Sequence, residues 1–276
     1  MKTKKFLGKF LLTALLAGFA WLVMMPFLFM LSSSFKPLIE IFQYPIQWIP
    51  DTWYPDNYIR IFTHDNSIPT MYWNSIKITC INVVASTITS ILAAYAYSKM
   101  NFKGKNIFFL LMLATLMVPP QITYVPKFAL FSWFNIMDTH WTLILPGLYA
   151  VFGTFLVKQF FDQIPNDLLE AARIDGAGEL RICFGILTPI SLPAISAFVI
   201  TVFTNFWNEY DAPLIFLRSK ELYTLPLGLI AFRDETGQMY NYIMAMTSIS
   251  IIPIAVVFLL GQKYFIKGLT AGAVKG

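Results

Sequence analysis

Six long apolar stretches constrain the fold of this sequence more than any other feature. A helix needs roughly 20 mostly apolar residues to cross a hydrocarbon core of about 30 Å. Only 13% of the residues are charged, whereas a soluble domain averages about 25%. We therefore predict an all-α, polytopic membrane protein with six transmembrane helices. The stretches cover approximately residues 6–31, 73–97, 106–118, 141–161, 186–207 and 242–265.

The first stretch begins with lysines, as a secretory signal peptide does, but it differs from one in two ways. Its apolar body exceeds the 7–15 residues or so of a signal peptide, and no A-x-A cleavage site follows it. We interpret it as a retained transmembrane helix, and we assign residues 1–70 to this helix and the loop after it.

Lysine and arginine are distributed unevenly between the connections on the two sides of the predicted spans. If the N-terminus is cytoplasmic, the inner connections hold roughly twice as many basic residues as the outer ones. Lys99, Lys103 and Lys105 lie together in one short inner turn. The distribution predicts a cell-membrane protein with both termini in the cytoplasm.

Several classes of function lack their signatures in this sequence. Its two cysteines, Cys80 and Cys183, lie far apart and have no zinc-ligand spacing. There is no GxxxxGK[ST] loop, HExxH motif or GxSxG motif, so ATP would be bound by another chain. The net charge of +5 arises from basic residues at the ends of apolar stretches. We therefore expect no catalytic residue, metal ion, cofactor or nucleic-acid partner.

The connection after the fourth stretch carries a short charged helix. Asn166 is a candidate N-cap, and Asp167 and Glu170 lie in the first turn, where the helix dipole favours negative charge. Gly176 and Gly178 supply a stop. Such a helix could lie on lipid, but its few large apolar residues and its excess of acid suit an anionic leaflet poorly. Docking onto another protein is the favoured interpretation.

The same connection carries a long, gapped motif that consists of Glu170, Ala171, Ala172, Gly176, Ile186 and Pro189. The motif resembles the EAA signature of permease subunits of binding-protein-dependent ABC importers. That signature ends in I-x-L-P, and Thr188 here occupies the leucine position.

The resemblance extends over nearly the whole chain, to the carbohydrate branch typified by the second maltose-transporter permease. The runs that carry it include Ala94–Lys99, Met117–Pro120, Trp207–Tyr210, Leu225–Gly228 and the ending Gly268–Gly276. It implies a type I ABC importer permease fold and import of a sugar or oligosaccharide. It also implies a heterodimer with a second related permease, two cytoplasmic ATPase subunits and an extracytoplasmic sugar-binding protein, with membrane lipid around the spans.

By this resemblance, three groups of residues acquire roles. The helix at 166–178 would transmit the closure of the ATPases to the pore through Glu170, Ala171, Ala172, Asp175 and Gly176. The C-terminal tail, residues 266–276, would reach the ATPase through Leu269, Thr270, Gly272 and Lys275. The last outer loop would contact the substrate or the binding protein through Trp207, Asn208, Glu209 and Tyr210. Residues 71–265 would form the transmembrane domain.

Simpler roles remain open for several of these residues. Glu170 could stabilise its own helix or pair with Arg173, a contact worth about 0.5 kcal/mol. The tail could be disordered, because its small residues bury little apolar area. Trp207 and Tyr210 could belong to an interfacial aromatic belt instead of stacking on sugar rings. Glu209 could lie at the membrane interface.

Three other functions remain as alternatives. A carrier or channel working alone would need ionisable residues near the middle of the membrane, and the predicted spans hold almost none. A membrane enzyme would need a cluster of His, Asp or Glu at one depth. An ABC permease for peptides, phosphate or amino acids would share the EAA motif, and resemblance alone favours sugars over these substrates.

Overall fold

All regular secondary structure in the computed structural model is helical. The structure describes residues 2–63, 67–236 and 239–273, and none of these residues lies in a β-strand. The α-helices, numbered in chain order, are α1 (Lys2–Ser33), α2 (Leu38–Ile41), α3 (Asp56–Thr63), α4 (Ser67–Lys99), α5 (Lys105–Ala114), α6 (Tyr124–Trp133), α7 (Trp141–Gly147), α8 (Val151–Asp162), α9 (Asn166–Ile174), α10 (Glu179–Ile182), α11 (Thr188–Ile190), α12 (Leu192–Trp207), α13 (Asp211–Phe216), α14 (Leu225–Thr236) and α15 (Tyr240–Ala273).

Four segments are long and apolar enough to cross a membrane without a sharp bend, namely Phe6–Ser33, Ile68–Lys99, Trp141–Asp162 and Tyr240–Lys263. Two further segments pass the same test only as bent pairs. These pairs are Lys105–Met117 with Pro120–Trp133, bent by 98°, and Glu179–Ile190 with Leu192–Trp207, bent by 84°. If each bent pair is one span, the described residues hold the predicted six.

The fifth span departs from its prediction at residues 186–191. The helix turns at Ser191, so that only Leu192–Trp207 continues in the new direction. Pro189 and Pro193 flank the turn, and each removes a backbone N–H that a continuous helix would use. A π-helix, Cys183–Leu187, precedes the turn and is a further departure from α geometry.

The first arm of the third span ends before Pro119 and Pro120, where the apolar stretch at 106–118 was predicted to end. The segment after it was expected to be an outer connection, but it contains α6. Pro120 begins a short 3₁₀ helix, Pro120–Thr123, that leads directly into α6. Proline is well suited to a first helical position, because the N–H that it lacks would have no partner there.

The chain divides into two compact units. Unit 1 comprises Met1–Ile68 and Leu229–Ile252, and unit 2 comprises Pro69–Gly228 and Pro253–Gly276. The small core of unit 1 is formed by Ile61, Ile68, Ala245 and Met246. In the same unit, every residue of α1 from Phe6 to Phe27 is exposed. The apolar surface of α1 is therefore available to lipid or to another chain.

Unit 2 holds two larger cores. In the first, α9, α10 and the π-helix pack with α4, α8 and α12, and its fully buried members include Val157, Phe161, Ile182, Cys183 and Leu187. The second surrounds Phe131 and Phe216, whose ring centroids are 5.1 Å apart.

Helices α4, α8 and α12 approach each other closely at Gly153. A Cβ atom added to Gly153 would collide with the ring of Phe198 and with Ser90 Oγ. Ser86, Ser90 and Ala94 are fully buried along α4. Small side chains at such contacts let neighbouring helices approach closely.

Candidate functional site

The segment predicted as the coupling helix, residues 166–178, contains α9 and the chain reversal after it. The start of α9 differs from the prediction. Pro165 occupies the N-cap position, where no side-chain hydrogen bond is made, and Asn166 is the first helical residue. Asn166 Oδ1 accepts a hydrogen bond from Lys99 Nζ at 3.0 Å, and the same ammonium group donates to Ile164 O at 2.6 Å. The amide of Asn166 therefore ties the start of α9 to the end of α4 instead of capping the helix.

A Schellman motif ends α9. Gly176 has a φ of +81°, which glycine adopts without strain. Its N–H donates to Arg173 O at 3.0 Å, and Ala177 N–H donates to Ala172 O at 2.9 Å, which are the two bonds of that motif. The predicted helix stop at Gly176 is confirmed. Gly178 instead has an extended backbone and is the N-cap of α10.

Helix α9 buries one face and exposes the other. Leu169 and Ala172 are buried in the first core of unit 2. Glu170, Ala171 and Asp175 are exposed. The two alanines of the motif therefore differ: Ala172 fastens α9 to its own chain, and Ala171 forms part of the free surface beside Glu170.

Arg173 pairs with Glu179, across the chain reversal that follows α9. Its Nε donates to Glu179 Oε1 at 2.9 Å, and a terminal guanidinium nitrogen donates to Oε2 at 3.2 Å. This bonding holds the pKa of Arg173 above its ordinary value. Tyr95, a buried residue of α4, donates its hydroxyl proton to Glu179 Oε2. Glu170 does not pair with Arg173, and it has no hydrogen bond or ion pair to any residue that the structure describes.

Sequence reasoning missed three residues that hold α9 in place, namely Tyr95, Lys99 and Glu179. Tyr95 and Lys99 are four residues apart, so they lie on one face of α4. They lie at the inner end of the second predicted span. The charged connection that carries α9 is predicted on the same side of the membrane. This spacing of polar groups at a span end could have identified both residues.

Trp207 lies in the interior of unit 2. It is only 1% exposed, and its ring stacks on Phe203 with centroids 5.9 Å apart. It also packs edge-on against Tyr72, at 5.6 Å. In this structure Trp207 is therefore neither part of an interfacial belt nor accessible for stacking on a sugar.

The other three residues of the predicted contact loop differ in their surroundings. Asn208 is exposed at the C-terminal end of α12, and Tyr210 is half-buried before α13. Glu209 is half-buried, and its Oε1 accepts a hydrogen bond from Ala212 N–H at 3.0 Å. Glu209 also lines a cavity of about 330 Å³, which the other predicted contact residues do not line.

Asp138 joins the segment before α7 to the segment after α13. Its Oδ1 accepts from the backbone N–H groups of Arg218 at 2.7 Å and Ser219 at 3.0 Å, and Ser219 Oγ donates to Oδ2 at 2.5 Å. These bonds, the Ser219 hydroxyl first, hold the pKa of Asp138 below its ordinary range. Nearby, His140 Nε2–H donates to Leu222 O at 2.9 Å, and burial lowers the pKa of His140.

We expect Asp138→Asn to lower the Tm of the detergent-solubilised chain by roughly 2–4 °C near neutral pH. Asparagine loses the charge and the second acceptor oxygen that Ser219 uses. The pKa of Asp138 is depressed in the folded chain. Its stabilisation is therefore present above the ordinary pKa of about 4 and is lost as the pH falls through the folded pKa. Melting curves recorded from neutral to acidic pH should show the two proteins converging in acid. Asp211→Asn, at an exposed residue, is the control, and equal Tm losses in both variants would contradict this role.

Among the residues that the structure covers, no group of three or more His, Cys, Asp or Glu side chains could bind a metal ion. The backbone of Leu269, Thr270 and Gly272 continues α15, which ends at Ala273. Lys275 falls outside the described ranges.

Comparison with known proteins gives consistent matches. The profile of the family described as "Binding-protein-dependent transport system inner membrane component" matches residues 86–271. The arabinooligosaccharides transport system permease protein AraQ of Halalkalibacterium halodurans is 38% identical over 268 residues, which cover 96% of each chain. The galactooligosaccharides transport system permease protein GanQ of Bacillus subtilis is 34% identical, covering 100% of this chain and 99% of that protein.

A solved structure is similar to this chain over almost its full length. It is a crystal structure of a bacterial ABC transporter involved in the import of the acidic polysaccharide alginate. One of its chains aligns with a TM-score of 0.80 at 26% identity, and the alignment covers 92% of this chain and 94% of that one.

Proposed function

The chain belongs to the family of binding-protein-dependent transport system inner membrane components, and from this premise we propose that it forms half of a translocation pore for a sugar or oligosaccharide. Its relatives are named for arabinooligosaccharides and galactooligosaccharides, and a structural neighbour imports alginate. All three substrates are saccharides, which supports this substrate class over peptides, phosphate or amino acids.

Family membership confirms the coarser predictions. The chain is an all-α, multi-pass membrane protein with the ABC importer permease fold. It is a permease subunit of a binding-protein-dependent transport system and not an enzyme.

The finer assembly is part of the proposal. A second related permease would complete the pore as a heterodimer, two cytoplasmic ATPase subunits would supply the energy, and an extracytoplasmic sugar-binding protein would deliver the substrate. The excess of basic residues on the α9 side supports cytoplasmic termini. Within the chain, residues 1–70 would form the first span and loop, residues 71–265 the transmembrane domain, and residues 266–276 a cytoplasmic tail that reaches the ATPase.

One observation carries the proposed coupling: α9 presents an unpaired carboxylate on a surface that its own chain leaves free. Arg173 and Glu179 neutralise each other, whereas Glu170 is exposed and has no partner in the described part of the chain. Ile174 is 86% exposed and Leu168 is 43% exposed on the same short helix. Because Ile174 lies one turn after Glu170, a charged and an apolar side chain adjoin on the free face, which suits a protein cleft with a basic residue at its base.

The buried side of α9 supports the same proposal. Leu169 and Ala172 anchor the helix to the core, and Lys99 and Glu179 connect its two ends to α4 and α10. A force applied to Glu170 from outside would therefore reach a transmembrane helix through packed contacts. In this scheme Ala171 allows close approach of the ATPase, Asp175 adds a polar contact and Gly176 keeps the turn.

The test is ATP-driven saccharide uptake into vesicles that contain the complete complex. We expect Glu170→Ala to reduce uptake about tenfold, because a hydrogen bond to a charged group contributes about 1.5–3 kcal/mol. Glu170→Gln should reduce uptake by a similar factor, because it keeps the shape of the side chain and removes its charge.

The control for this test is Glu221→Ala, which removes an exposed carboxylate far along the chain from α9. Co-purification of the ATPase from detergent reports assembly separately from transport. Normal uptake by Glu170→Ala would contradict the proposed coupling role of Glu170. Uptake that needs no ATPase would return a carrier working alone to consideration.

A further inference from the structure

The cavity that Glu209 lines is enclosed by segments of unit 2 that are distant in sequence. Residues of α4, α6, α7, α12 and α13 surround it, together with Thr224, the residue immediately before α14. Its volume of about 330 Å³ falls at the lower end of the roughly 300–1,000 Å³ typical of small-molecule sites. It is large enough for a ligand of a few polar groups rather than for a single water molecule.

Two buried polar atoms in the lining have no hydrogen-bond partner among the described residues. They are Asn82 Oδ1 and Thr224 Oγ1. Asn82 is fully buried and Thr224 is 6% exposed. The amide nitrogen of Asn82 already donates to Leu143 O at 3.2 Å, which leaves Oδ1 as an acceptor only. A buried polar atom left unpaired costs about 1–3 kcal/mol, so both positions favour a ligand that can donate hydrogen bonds.

The rest of the lining combines aromatic rings with two opposite charges. Lys127 Nζ lies 5.9 Å from the centroid of the Tyr124 ring, which packs edge-on against Phe216 at 6.1 Å. Glu209 uses one carboxylate oxygen on Ala212 N–H. Lys127 and Glu209 form no ion pair within the described chain. Since their charges offset each other, the cavity favours a neutral ligand with many hydroxyl groups over an anion or a cation.

We infer that this cavity is a binding site, within this chain alone, for one neutral sugar residue of the transported saccharide. The inference rests on the proposed transport function and adds to it a location in this subunit and a set of contacts. Ligand hydroxyls donate to Asn82 Oδ1, Thr224 Oγ1 and the Glu209 carboxylate, and the Lys127 ammonium donates to a ligand oxygen. The ring of Tyr124 provides the apolar surface that a sugar face covers.

The test measures saccharide binding to the complete complex without the sugar-binding protein, by equilibrium binding of arabinotriose and galactobiose. Glycerol 3-phosphate is the charged probe. Thr224→Val keeps the shape of the side chain and removes the unpaired hydroxyl. We expect it to raise the Kd of the bound neutral sugar about tenfold without lowering the Tm, because the hydroxyl has no partner in its own chain. Thr154→Val is the control: this buried hydroxyl donates to Ala150 O away from the cavity, so the Kd should stay unchanged.

The outcomes separate this inference from the proposed function. If the complex takes up one of the neutral sugars and Thr224→Val leaves its Kd unchanged, the cavity is not the site, although the transport function stands. Tighter binding of glycerol 3-phosphate than of either sugar would also overturn the inference. If Glu170→Ala stops uptake but leaves the Kd at its wild-type value, the two parts are supported independently. A complex that neither binds nor imports any saccharide overturns both.

Discussion

Replacing Gly153 with leucine should cost the folded chain about 3 kcal/mol or more, the largest loss of stability that we expect from a single substitution. Overpacking a dense interior typically costs about 1–3 kcal/mol for modest increases in volume. At Gly153 even a Cβ atom collides with Phe198, which is 2% exposed, and with Ser90, which is fully buried. Neither neighbour can move aside, because α4, α8 and α12 meet at this point.

Gly18→Leu is the matched control, because nothing lies within 4 Å of a Cβ atom at that position in α1. We would compare the two variants by the yield of monodisperse protein and by thermal unfolding in the same detergent. Phe198→Ala should recover part of the loss in the Gly153→Leu background, because it frees volume at the contact. If both leucine variants unfold at the wild-type temperature, the close approach of the three helices is wrong.

Glu179→Arg should uncouple transport from ATP hydrolysis, and we expect uptake to fall at least tenfold. The pair of Arg173 and Glu179 is 41% and 48% exposed, so solvent screens it and on its own it contributes little to stability. The charge reversal at residue 179 does more than remove this ion pair. It places two guanidinium groups together and takes away the acceptor of the buried Tyr95 hydroxyl, which costs a further 1–3 kcal/mol or so. The end of α9 then loses its polar connection to α4 through Glu179, while the bond between Lys99 and Asn166 at its start remains.

The measurement compares uptake and ATP hydrolysis in the same vesicles. Hydrolysis should continue while uptake falls. Arg173→Glu, added to Glu179→Arg, rebuilds an ion pair of opposite direction and should restore part of the uptake. Glu221→Arg, a reversal at an exposed loop residue, should leave both rates unchanged. A double variant that transports no better than Glu179→Arg would argue against the ion pair as the connection.

The spans could be predicted from the sequence because their length and apolarity are properties of each segment by itself. The turn of the helix at Ser191 could not be predicted in this way. Pro189 and Pro193 predict a disturbance, but the size and direction of a bend depend on what the two arms pack against. The same holds for α6, which follows Pro120 inside a segment that was expected to be an outer connection.

Local rules predicted the end of α9 but not its start. Gly176 ends the helix because only a residue that tolerates a positive φ fits the Schellman motif. Asn166 fails to cap the other end because Lys99, which is distant in sequence, takes its side-chain oxygen. Arg173 likewise turns to Glu179 instead of Glu170, since the chain reversal at Gly176 brings α10 alongside.

The cavity lay beyond prediction because its residues come together only in the fold. Asn82, Lys127, Glu209 and Thr224 are on four separate segments. One signal was present in the sequence: Asn82 is an amide in the middle of an apolar span, and polar residues at such positions are expensive and often functional.

The exposure of α1 has a consequence for how this chain can change over evolutionary time. Every residue from Phe6 to Phe27 is exposed, so packing within its own chain constrains these side chains little. Contacts with lipid and with a neighbouring subunit therefore set most of the limits on which residues can stand there. Apolar residues of different sizes can replace one another wherever α1 faces lipid. Positions of α1 that change little among relatives would therefore mark the surface that a partner subunit contacts.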